Sequence, residues 1–122
     1  GTVLGVLAHN GFAGLDEFER ALGDERIDSF RQKVSMTLDP EVDGAYPEKW
    51  LGKVKVTTKD GRELSAFVSD PKGDPGNTLS RDEIEAKVKR LVSYNGAGSQ
   101  EDAEKVIAWT WGLENGNSKL PL

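Results

Sequence analysis

The segment from Lys53 to Ser69 constrains this chain most. Val54 and Val56 alternate with Lys53, Lys55 and Thr57, while Leu64, Ala66 and Val68 alternate with Ser65, Phe67 and Ser69. Successive side chains on a strand point to opposite faces, so each run has one apolar and one polar side. Lys59-Asp60-Gly61-Arg62 lies between them. Asp-Gly supplies the positive backbone dihedrals of a tight turn, and the whole segment predicts a β-hairpin.

The flanking segments change period. Residues 2–10 read as a short helix carrying Val3, Leu4, Val6 and Leu7, stopped at Gly11. Leu15, Phe18 and Leu22 fall at helical spacing, with Gly23 ending the run. A third helix covers about 25–32, with Ile27 and Phe30 on one side. Val34, Met36 and Leu38 alternate with polar residues, which predicts a strand ended by Asp39-Pro40; 40–50 then reads as an irregular connection. Beyond the hairpin, 70–79 is a loop by composition. Ser80 and Glu83 have the spacing of a capping box, opening a helix with Ile84, Val88, Leu91 and Val92 on one face. Asn95-Gly96-Ala97-Gly98 breaks it, and Ser99 opens a last helix with Asp102 in its first turn. Trp109 and Trp111, two residues apart, cannot share a helix face; one is expected in the core and the other against a neighbouring domain. The expected class is α+β: a small antiparallel sheet with a central β-hairpin, packed by helices before and after it. One domain over 1–113 and a frayed tail over 114–122 are expected.

A chain of 122 residues can bury roughly two-thirds of its unfolded surface, enough for one core without staples. It has no cysteine, which excludes thiol catalysis and zinc-thiolate or iron–sulfur sites within it and suits a cytoplasmic setting. The net charge of −5 disfavours nucleic acid, and no apolar run is long enough to cross a bilayer. The chain opens directly in an apolar helix, as though entered partway along. Val3, Leu4, Val6 and Leu7 are therefore expected to seek a partner, another domain or a second copy in a homodimer, with self-association through residues 2–8 or disorder there when the other domain is missing.

Candidate sites are few. His9 has no second histidine for a metal site and reads better as a cation at a helix end. Asp39, Glu41 and Asp43 lack the spacing of a calcium loop and read as a solvated acidic loop. Lys53, Lys55 and Lys59 lack the interleaved aromatics of a nucleic-acid platform and read as edge protection. The loop Lys72-Gly73-Asp74-Pro75-Gly76-Asn77 is the best polar candidate: glycines let backbone amides approach an anion, and a helix start follows. Lys72, Gly73 and Asp74 are the substrate-binding candidates; no catalytic residue, metal ligand or cofactor site is expected. The residues alone lead to an α+β domain, and a free-standing ligand-binding or interaction module is one reading of it.

Tyr46-Pro47 through Val54, Val56 and Asp60-Gly61, then Lys72-Gly73-Asp74-Pro75 and Leu79-Ser80 with the acidic helix start up to Lys87, resembles the second domain of the MmgE/PrpD family. The apolar helix ending at Gly11, the helix through Phe18, and the segment from Ile27 to Asp39 fit the same pattern. One departure is Thr78, where the family often has proline. That family includes 2-methylcitrate dehydratase, cis-aconitate decarboxylase and iminodisuccinate epimerase. The resemblance implies a larger parent, with a helical N-terminal domain followed by a smaller α+β lid. It implies metal-free proton chemistry beside a carboxylate of a small di- or tricarboxylate. The acid–base histidine and lysine positions belong mainly to segments upstream of Gly1, so none carries over onto this chain.

Overall fold

The computed structural model describes residues 1–116. The fold is α+β, with six α-helices and one two-stranded antiparallel sheet among the described residues. It divides into two compact units, one from 1–36 and from 82 onward, the other from 37–81.

In the first unit, α1 spans Thr2–Asn10, α2 Leu15–Arg20 and α3 Glu25–Arg31. Gly11 ends α1 in the left-handed conformation, its N–H donating to the Leu7 carbonyl. The crossing of α1 and α3 is the centre of the core. Val6 is fully buried and Ile27 is 2% exposed. Gly5 makes the approach possible: a Cβ there would lie 3.2 Å from Ile27 Cγ2 and 3.3 Å from the Ile27 carbonyl oxygen. The apolar face of α1 is thus divided. Val6 is covered by its own unit, while Val3, Leu4 and Leu7 stay exposed.

α2 stops short of the pattern that suggested it. Ala21 caps it, Gly23 turns left-handed, and Leu22 is left 84% exposed. α5, Arg81–Ser93, starts directly after Ser80. Its expected face is only partly covered: Val88 and Val92 are half-buried, while Ile84 and Leu91 are exposed. A 3-10 turn at Tyr94–Gly96 breaks the helix where expected, with Asn95 left-handed. In α6, Gln100–Trp111, Ser99 accepts from the Asp102 amide and the Asp102 carboxylate accepts from the Ser99 N–H, closing a capping box. Ala103 is fully buried. Trp109 and Trp111 are both half-buried, and the Trp109 indole N–H is buried without a partner. A further 3-10 turn at Leu113–Asn115 starts the expected tail; 117–122 lie outside the described residues.

The second unit holds the hairpin. β1, Gly52–Thr57, pairs with β2, Glu63–Val68, with Val54 opposite Ala66 and Val56 opposite Leu64. This register puts every apolar partner on the expected face. The turn differs in detail. Thr58 N–H donates to the Arg62 carbonyl and Gly61 N–H to the Thr58 carbonyl, a three-residue loop in which only Gly61, at φ 84°, is left-handed. All twelve strand residues are exposed.

The expected strand at 34–38 does not form. That stretch is irregular, with Met36 92% and Leu38 81% exposed, because no neighbouring strand among the described residues offers it a ladder. Alternation describes which side chains could share a face and says nothing about whether a partner exists. The connection after it is also more regular than expected. α4, Pro40–Ala45, follows with Asp39 as its N-cap, accepting from the amides of Glu41 at 3.0 Å and Val42 at 3.2 Å. Pro40 at the first helical position completes this start signal.

Four aspartates act as local amide or cation acceptors. The Arg26 side chain and amide hold Asp24 down at about 2. Lys53 lowers Asp39, the Thr58 hydroxyl and Arg62 lower Asp60, and Ser99 lowers Asp102. A folded-state pKa below the ordinary 3.8 contributes stability that is complete above that value. That stability is lost as pH falls toward the folded value. The urea midpoint is expected to hold steady from about pH 6 to about pH 4, then fall between about pH 4 and about pH 2. Asp24→Asn should flatten part of that fall; an unchanged profile would show that this carboxylate does not contribute.

Candidate functional site

Two places gather polar groups, one in each unit. The first is a cleft of about 320 Å³ beside α2, lined by Phe12, Leu15, Phe18, Lys87, Arg90 and Leu91 among others. Its shape follows from the α1–α2 connection. Gly14 N-caps α2 and donates its N–H to Glu17 Oε2 at 3.1 Å, half of a capping box. The Phe12 ring lies directly over Gly14, where a Cβ would come within 2.6 Å of Phe12 Cε1. The Arg90 guanidinium sits 5.0 Å from the Phe12 ring centroid, a cation–π distance. Glu17 also binds Arg20 at 2.5 Å. The Tyr94 hydroxyl donates to Glu19, and this bond with the nearby Glu19 and Asp16 charges holds the phenol protonated, its pKa raised.

The second place is the loop with Lys72, Gly73 and Asp74. It closes on itself. Gly73 N–H donates to the Asn77 carbonyl at 2.8 Å, Asp74 N–H to the Pro71 carbonyl at 3.0 Å, and Asn77 N–H to the Asp74 carbonyl at 2.9 Å. Asn77 Nδ2 ties the loop's end to the Asp70 carbonyl at 2.9 Å. Gly73 has φ 106°, a conformation open only to glycine without strain. The amides of Gly73 and Asp74 therefore hold the loop's shape. Lys72 is the cationic side chain on this frame.

The remaining sequence candidates have local roles. His9, in the last turn of α1, is exposed and sets its ring edge-on to Phe30 at 6.0 Å. No carboxylate bonds it among the described residues. Asp39 and Glu41 are no free acidic loop: Lys53 Nζ bridges them at 2.9 and 2.7 Å, and its own pKa rises through Glu41 and then Asp39. Lys55 pairs with Glu63 at 2.6 Å. Two of the three hairpin lysines are thus matched by carboxylates.

Comparison with known proteins places these features. The family model described as the MmgE/PrpD C-terminal domain matches residues 1–113. The chain belongs to the MmgE/PrpD family. No curated protein and no solved structure matches it significantly. The matched span includes both units, the hairpin and the Lys72 loop of this MmgE/PrpD domain. No helix among the described residues is long and apolar enough to cross a membrane. Sequence reasoning missed the cleft, because Phe12 and Arg90 lie far apart in the chain. The one available signal was local: Lys87 and Arg90 share a side of α5, three residues apart.

Proposed function

We propose that this MmgE/PrpD domain is the lid of a cytoplasmic lyase or isomerase acting on a small di- or tricarboxylate, of the 2-methylcitrate dehydratase kind. The family match over residues 1–113 carries the reading. Removing or moving a proton beside a carboxylate needs an acid and a base within hydrogen-bond reach of the substrate. His9 has no such partner here, so the acid–base pair is assigned to the helical N-terminal domain of the parent. The lid supplies closure and exclusion of water, and Lys72, held by the Gly73–Asp74 frame, supplies a cation toward a substrate carboxylate. Val3, Leu4 and Leu7 are the surface for the parent's other domain or for a homodimer.

The parent protein is expected to turn over 2-methylcitrate or a related carboxylate. The 122-residue chain alone should give no turnover. In the parent, Lys72→Gln should raise KM about tenfold with kcat little changed, as loss of one charge-assisted contact would. Turnover by the isolated chain that survives repurification would overturn the assignment of the reaction centre. An unchanged KM in Lys72→Gln would remove the loop from the site.

A further inference from the structure

The cleft beside α2 has chemistry of its own, independent of the lid reading. Its walls are largely apolar, from Phe12, Leu15, Phe18 and Leu91, and its volume of about 320 Å³ is in the range of small-ligand pockets. Lys87 and Arg90 also line it and are neighbours on the surface of α5. Neither has a carboxylate partner among the described residues, whereas most of the other described cations do. Of the acids lining the cleft, Glu17 is already engaged by Arg20 and the Gly14 N–H. Asp16 remains. Two unmatched cations therefore face one unmatched carboxylate, beside aromatic and aliphatic surface. Arg90 lies over the Phe12 ring, so little side-chain freedom is lost when it binds an anion.

We propose that this cleft binds a small amphipathic monocarboxylate, its carboxylate held by Lys87 and Arg90 and its aromatic or branched part packed on Phe12, Leu15, Phe18 and Leu91. The Asp16 charge selects against a second negative group, so citrate and succinate are poor ligands of this cleft. Its ligand class thus differs from the polycarboxylates of the lid reading.

The test is a titration of the full chain with 3-phenylpropionate, followed by amide chemical shifts. Saturable shifts are expected at 12–18 and 87–94. The neutral alcohol 3-phenylpropanol should bind about tenfold more weakly, as should the acid to Lys87→Gln or Arg90→Gln. Lys87 is exposed, so its substitution keeps the fold; an unchanged melting curve checks this. Citrate at the same concentrations should leave these shifts in place. Equal binding of acid and alcohol, or full affinity in both variants, would overturn the proposal by reducing the cleft to a plain apolar hollow. A flat titration accompanied by dimers in sedimentation would overturn it in favour of a second copy in the cleft.

Discussion

Ile27→Ala is expected to lower the unfolding free energy by about 2–5 kcal/mol, the cost of a buried isoleucine truncation that leaves a cavity. The physical case rests on how little else is buried. Val6, Ile27 and Ala103 are the buried apolar residues of the described structure, and Ile27 is the largest side chain of the three by carbon count. It meets Gly5 at the α1–α3 crossing, where the absent Cβ allows helix backbones to approach closely. Domains of this size have only about 5–15 kcal/mol in total. The variant should therefore show a clearly lower urea midpoint with an unchanged slope, or unfold outright at room temperature. A midpoint within error of the parent sequence would mean that α1 and α3 do not form the core.

Gly61→Val is expected to melt the hairpin locally while leaving the helical unit intact. Gly61 has φ 84°, and a β-branched residue held there costs about 1–3 kcal/mol. The effect is large because the hairpin has little in reserve. Every residue of β1 and β2 is exposed, and a two-stranded sheet is marginal in water. Loss of the Thr58–Arg62 and Gly61–Thr58 backbone bonds would remove the register that pairs Val54 with Ala66. The expected readout is loss of cross-strand nuclear Overhauser contacts between 52–57 and 63–68, with amides of α1 and α3 unshifted. Retention of those contacts would show that the strands hold their pairing without the turn.

The exposed apolar face of the hairpin bears on the proposed parent. Val54, Val56, Leu64 and Val68 form one side of the sheet and are all exposed. Such a face gains stability when it is covered, as by another domain of the parent protein. The segment 34–39 has the same character: a strand-like alternation, two highly exposed apolar residues and no ladder.

Local chemistry settled much of this protein before any tertiary contact was known. Gly11, Asp60-Gly61, Asn95-Gly96 and Ser99 are punctuation whose cause lies within a few residues, so the place of each turn and helix start could be read directly, while the turn's length and the Ser99–Asp102 capping box came from the structure. The alternation in β1 and β2 placed their apolar faces for the same reason. Asp39-Pro40 was equally local, but its N-cap geometry and its strand-ending geometry share one dipeptide, and only the bonds to Glu41 and Val42 separate them. Other features depended on distance. Whether Val34–Leu38 becomes a strand depends on a partner elsewhere. Which of Val3, Leu4, Val6 and Leu7 is buried depends on where α3 crosses. The cleft joins the α1–α2 connection to α5, where Arg90 lies over Phe12, and no spacing rule links residues that far apart.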